Sequence, residues 1–459
     1  MADLLSDAYS QFDQYHDPLE WNDPRRVPLN DDAVRGAHYS CVDQLYEGIE
    51  LRGQHSHSTQ VFTGSIGSGK SSELKLLAHQ LGQRGYEVVF IDTEEFLNLK
   101  VAPTISDLLV TIAKGMDGYL KQALPKDPLG KLKDFWSRFS SFLTSKVTEQ
   151  GFSLGAEGIA SVDFDLKQNI QFRQRLNAAL EAQGRIPALA KECQQFLDEA
   201  VALLRANSPQ SKGVVLIVDS FEKVGHPYIT EEIIRAVQAI CTRDWDLLRV
   251  PCHAIYTVPP WITFLEFGAD SAFVRVQMLP MCRLADRETG EPYAPGIRVM
   301  MELLNRRAPL DKLFAKPEAS LKPLVLASGG YPRDLLRIMR EVILAISLGM
   351  KNDPTLHLPL AADAAKRIVD REIERNTDAF DQALTDENLE MIVRVARDRD
   401  IRSHRQQDLS RLAHLFQHHF VLAYHNDKRW FDIHPLVRRS RKVKEALSAQ
   451  NDQPAPANP

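Results

Sequence analysis

Residues 59–77 read TQVFTGSIGSGKSSELKLL. A short apolar run is followed by a glycine-rich turn and then by Leu74, Leu77, Ala78 and Leu81, the i, i+3, i+4, i+7 spacing of one helix face. Within it, Gly64-Ser65-Ile66-Gly67-Ser68-Gly69-Lys70-Ser71 fits G-x-x-x-x-G-K-[ST] at every position. Its glycines permit φ > 0 and close backbone approach, so N–H groups can wrap phosphate oxygens. The following helix start adds its positive dipole end. In such a loop Lys70 reaches the β- and γ-phosphates and Ser71 holds Mg2+. With Ser72 added, residues 64–72 are the expected cradle for ATP.

The neighbouring segments supply the rest of a sheet. Gly82 and Gly85 end the helix, and YEVVFID (86–92) reads as a buried strand. Strand, loop, helix, strand is a βαβ unit and predicts a parallel sheet with helices on both faces. The pattern resumes with GVVLIVDS (213–220) and CHAIYTV (252–258). Asp219, at the end of an apolar strand, is the expected metal-side carboxylate, acting through water. Ser220 follows it where many ATPases carry a glutamate, so Glu222 is the nearest group able to orient an attacking water. Asp92 and Glu94 are weaker acidic candidates. Thr257 stands at a strand end suited to sensing a γ-phosphate. Further on, GGYPRDLLR (329–337) breaks one helix and starts another, with Pro332 in the first turn and Arg333 held at the junction. An arginine there suits forked contact with phosphate.

Length and composition bound the reading. A chain of 459 residues, at ~150 per domain, predicts about three domains. The 44% hydrophobic and 25% charged content is that of a globular protein, not a disordered one. Five scattered cysteines without a C-x-x-C pair exclude a disulfide framework and a thiolate zinc site. No apolar run approaches the ~20 residues a bilayer needs, and the first residues are acidic and polar. A cytoplasmic protein without membrane contact is expected. The organisation read from patterning is a loose polar lead-in over 1–30 and a nucleotide-binding core over 31–290. That core carries an insertion of helices and a hairpin at about 104–206. A helical lid (291–380), a two-helix-plus-hairpin unit (385–447) and a disordered tail (448–459) follow.

Residues 391–445 hold 13 Lys+Arg against 6 Asp+Glu, a net of +7, which leaves −12 on the remainder of a −5 chain. Two helical stretches there precede FVLAY and RWFDI, short strands joined by turn residues, which reads as a winged helix. Arg402, Arg405 and Arg411 flank the second helix, and Lys428 and Arg429 sit at the hairpin. Two uses remain open: a DNA grip with phosphate contacts, or a packing and protein-interaction module. The nearby histidines lack the partners of a metal site.

GSIGSGKS, VVLIVDSFE, AIYTVP and SGGYPRDLL, in that order, resemble the P-loop ATPase branch that contains AAA+ proteins of the origin-recognition type and the STAND signalling ATPases. The resemblance covers about residues 30–350. It implies that Lys70 and Ser71 match the Walker A pair, Asp219 the Walker B aspartate and Glu222 the STAND acid three positions on. It also implies that Thr257 matches sensor 1, Pro332 the GxP-type proline near adenine and Arg333 a sensor-2 arginine. Ser220 departs from the AAA+ pattern, no arginine follows Thr257, and Arg306 and Arg307 are the candidates for reaching a neighbour's site in a homo-oligomer. The expected function is an ATP-hydrolysing conformational switch, acting on a partner protein through the insertion or winged helix or on DNA through residues 391–445, with prokaryotic antiviral defence or signalling as the implied setting. The alternatives are a DNA loader or initiator ATPase, and a nucleotide-stabilised scaffold with little hydrolysis.

Overall fold

The computed structural model describes residues 2–13, 18–29, 32–35, 40–52, 57–124, 167–168, 170–182, 184–265, 276–401, 408–426 and 428–451. Five strands, β1 (Thr59–Thr63), β2 (Tyr86–Asp92), β3 (Gly213–Asp219), β4 (His253–Val258) and β5 (Val276–Met278), form one sheet in the order β2-β3-β4-β1-β5. Every pairing is parallel. β3 is buried at all seven positions, which explains its nearly unbroken apolar run. The fold is an α/β P-loop fold, with the glycine loop following directly on β1.

The chain forms two compact units, one of Met1–Asp43, Gly64–Lys75 and Leu279–Pro459, the other of Gln44–Thr63 and Leu76–Met278. The expected boundaries kept residues 64–75 with the sheet; their contacts group them instead with the C-terminal half of the chain. In the sheet unit, α3 (Cys41–Glu50) leads in, and α4 (Lys70–Gln83) ends ahead of β2. After the one-turn α5 (Thr93–Phe96), α6 (Ile105–Ala123) starts on a capping box between Thr104 and Asp107 and buries most of its length. α7 (Ile170–Ala182) pins it: Arg173, 1% exposed, pairs with Asp107 at 2.9 Å and donates to the carbonyls of Asn98 and Ala102. α8 (Ile186–Asn207) packs on α6 and β3. The helices expected as an insertion thus cover the sheet and carry the chain from β2 to β3. Their long apolar faces belong to the core. The hairpin read at 152–166 lies outside the described residues. α9 (Glu231–Thr242), capped by Thr230, precedes β4.

The other unit has its own core. α1 (Ala2–Gln11), α2 (Asp32–Arg35), α10 (Ala294–Asn305), α11 (Leu310–Leu313), α12 (Pro317–Ala327), α13 (Pro332–Asn352) and α14 (Ala362–Ala383) contribute side chains to it. α1 corrects the loose lead-in expected over 1–30. Leu5, Ala8 and Phe12 recur at helical spacing and are buried, and the helix packs on α13. α15 (Asp386–Asp398), α16 (Leu409–Gln417) and the antiparallel pair β6 (Val421–Asn426) and β7 (Lys428–Ile433) give the two helices and hairpin expected at 385–447. Arg402 and Arg405 lie outside the described residues. α17 (Pro435–Arg439) and α18 (Arg441–Asn451) close the chain, so the tail expected from 448 begins as helix, and 452–459 lie outside the described residues. Among the described residues all five cysteines are free and buried, and no helix is long and apolar enough to cross a membrane.

Candidate nucleotide site

The glycine loop is held from behind through its carbonyls. Lys70 Nζ, 2% exposed, donates to the carbonyls of Gly64 (2.8 Å) and Ser65 (3.0 Å), and the Ser65 carbonyl also takes the Ser68 N–H at 3.1 Å. The Tyr331 hydroxyl donates to the carbonyl of Ile66. Arg35, 2% exposed, donates to the carbonyl of Ser68 at 3.1 Å. Gly67 has φ +85, and a Cβ there would stand 2.5 Å from Arg333 Nε and 2.7 Å from Arg333 Cβ. Arg333 therefore lies directly against the loop, and only glycine gives it that room. Pro332 opens α13 beside it and is buried.

These residues fit a phosphate ligand. Gly69 has φ +100, and among the described residues nothing lies within 4 Å of a Cβ position there. Ser68 Oγ is buried without a hydrogen-bond partner among the described residues. Ser71 lies in the first turn of a 14-residue helix whose start brings a positive dipole end to the loop. Ser72 differs from expectation: its hydroxyl accepts the Leu19 N–H at 3.0 Å and so faces the N-terminal segment. That segment is also held by Arg26 to Glu73 at 3.0 Å and by Glu20 to Lys75 at 2.5 Å. Arg306 and Arg307, the candidates for reaching a neighbour, donate instead to the carbonyls of Arg26 and Arg25 in the same segment. Burial, with Arg25 alongside, brings Arg307 down to about 10.

The loop's partners lead onward to the C-terminal unit. Tyr331 also lies 3.1 Å from His419 Nε2, after α16. Tyr331 clusters with Met281, Leu422, Tyr424 and Trp430, the last two stacked at 4.6 Å. The Tyr424 hydroxyl donates to the Gly329 carbonyl at 2.7 Å. The apolar face of the hairpin thus rests on Gly329–Tyr331. Sequence reasoning missed Arg35 and Tyr331; helix-breaking glycines beside Tyr331 were the only signal.

The sheet unit carries the remaining candidates at the carboxyl ends of its strands. Asp219 is 1% exposed and stands in register with Asp92 of β2. Its carbonyl accepts the Thr93 hydroxyl at 2.8 Å. Ser220 then adopts φ 70, ψ 0, and the short turn Phe221–Lys223 buries Glu222. Thr257 is 1% exposed, and its hydroxyl accepts the Phe221 N–H at 3.2 Å and faces the Val218 carbonyl at 3.5 Å. The expected phosphate sensor is thus engaged in fastening the turn after Asp219. Asp92 caps the next helix through the Glu94 N–H, and Glu94 pairs with Lys223. Among the described residues no group of three His, Cys, Asp or Glu is placed to hold a metal by itself.

No protein-family model matches the chain, and no curated protein matches it. Solved structures align along nearly its whole length. The chain is similar to a Walker-type ATPase of Pyrococcus abyssi at 12% identity, over 95% of this chain and 99% of that one, with a TM-score of 0.39. It is similar to the ORC2 protein of Aeropyrum pernix at 13% identity, over 96% and 98%, with a TM-score of 0.34. For Cdc6p of Pyrobaculum aerophilum the values are 12%, 96% and 98%, with a TM-score of 0.35.

Proposed function

We propose that this chain binds ATP with Mg2+ and works as a nucleotide-driven conformational switch, reset by hydrolysis to ADP and phosphate. In this reading the loop N–H groups and Lys70 would take the phosphates and Ser71 would hold the metal, while Asp219, as a carboxylate acting through water, and Glu222, as the acid that orients an attacking water, are assignments that rest on the sequence pattern. Mg2+, when bound, would supply charge neutralisation to the phosphates. Arg333 reads the phosphates against Gly67, and Thr257 keeps the turn after Asp219 in place. One observation carries the switch reading: Tyr331 bonds the Ile66 carbonyl of the loop while lying 3.1 Å from His419. A change in the loop on nucleotide binding thereby reaches the hairpin through a single side chain. Hydrogen exchange of residues 421–433 tests this. Protection should differ between MgATP and MgADP in the wild type and be nucleotide-independent in Lys70→Ala. Identical protection in both states removes the switch.

A second reading, an ATPase that grips DNA, is favoured by the cations the C-terminal unit presents to solvent. Arg397, Arg411 and Arg441 have side-chain exposures of 65%, 46% and 79%, and each also pairs with a neighbouring carboxylate (Asp398, Asp408 and Glu445), so the net charge of +7 over residues 391–445 carries this reading. Affinity for a duplex should then fall steeply with salt, and a flat salt response sinks this reading.

A further inference from the structure

Arg35 is a buried guanidinium whose partners are three backbone carbonyls. It donates to Leu29 at 2.6 Å, to Ser68 at 3.1 Å and to Pro280. Among the described residues no carboxylate pairs with it within 4 Å, although a buried cation ordinarily has one. Neither composition nor the motif pattern accounts for that. What the three carbonyls share is chain geometry: Leu29 ends the N-terminal segment, Pro280 follows β5, and Ser68 lies inside the glycine loop.

The Ser68 contact has a directional consequence. In a trans peptide the C=O and the following N–H point to opposite sides. Fixing the Ser68 carbonyl toward Arg35 turns the Gly69 N–H away from Arg35. Gly69 is also the loop position where, among the described residues, nothing lies within 4 Å of a Cβ position. A cation behind the loop that meets no carboxylate among the described residues further favours an anion in front of it.

We infer that Arg35 is a positioning residue of the phosphate cradle, setting the direction of the Gly69 N–H and contributing positive charge beneath it. The inference rests on the nucleotide reading above and specifies its ligand as the polyphosphate chain itself, independent of base and ribose.

The test uses the full chain and a fluorescent ADP analogue, displaced by ATP and separately by inorganic triphosphate. Arg35→Met should weaken both competitors by the same factor, roughly tenfold or more, since a charge-assisted hydrogen bond is lost. Arg35→Lys, which keeps the charge but not the fork, should lose less. A purely structural brace would lower the melting temperature and leave the triphosphate affinity of the folded protein unchanged; that result overturns the inference. Should Arg35→Met fail to fold, Arg35→Lys decides, and affinity equal to wild type overturns it. Wild type that takes neither competitor removes the nucleotide reading and this inference together, whereas normal wild-type binding with unaffected variants removes the inference alone.

Discussion

His434 Nε2 lies 3.1 Å from Asp334 Oδ2, with both side chains buried. His434 Nδ1 accepts the Leu436 N–H at 3.2 Å, which leaves Nε2 as the ring nitrogen that faces the carboxylate. Asp334 directly follows Arg333, the arginine lying against Gly67. The contact joins the start of α13 to the start of α17, and Arg337 holds the other carboxylate oxygen at 3.2 Å.

Removing one side of this pair leaves a buried carboxylate short of a partner. His434→Ala should cost about 2–4 kcal/mol of unfolding free energy, from the lost contact and the cavity. Urea denaturation measures it, and a loss below ~0.5 kcal/mol would show that the pair is idle.

Acid should act through the same carboxylate. Burial alone raises Asp334, but the contact with His434 and the charge of Arg337 outweigh it and hold the group well below the usual carboxylate range. A depressed folded pKa gives stability that is present above the unfolded value of ~3.9 and lost as pH falls through the folded value. Stability should therefore decline below about pH 4. Asp334→Asn should show a shallower decline, and equal slopes would assign the acid loss elsewhere.

Gly67→Ala places a methyl within 3 Å of three Arg333 side-chain atoms, at a φ of +85 that alanine resists. Nucleotide affinity should drop by roughly tenfold or more, because Arg333 and the loop cannot both keep their places. Calorimetric titration with MgATP checks this. Combining it with Arg333→Ala should restore part of the loss, and an additive double variant would mean the two do not interact.

Glu222→Gln should keep ATP binding and slow turnover by about 100-fold or more, if the side chain orients the attacking water. Single-turnover hydrolysis separates the two effects. Unchanged turnover strips Glu222 of the role and leaves its burial to account for it.

Much of this could be read from residue order alone. The loop, Asp219 and the Pro332–Arg333 corner are local signals in which a few adjacent residue types dictate backbone and charge. Arg35 was invisible for the opposite reason: it bonds main-chain oxygens at positions 29, 68 and 280, which no side-chain pattern marks. Thr257 stands near the end of β4, and its hydroxyl accepts the Phe221 N–H, a pairing that depends on β4 lying beside β3. The helices α6 and α8 read as an insertion because so many residues separate β2 from β3; only the packed structure shows that they cover the sheet. α1 was hidden by the polar residues between Leu5, Ala8 and Phe12.

Ser220 bears on attempts to re-engineer turnover. It is fully buried, left-handed at φ 70, and among the described residues its hydroxyl finds no hydrogen-bond partner. Grafting a glutamate onto this position would thrust a long charged side chain into a dry, cramped and conformationally unfavourable spot. Glycine is the replacement the backbone invites. A designer seeking a faster catalyst would do better to work from Glu222, two residues along the same turn, and leave Ser220 small.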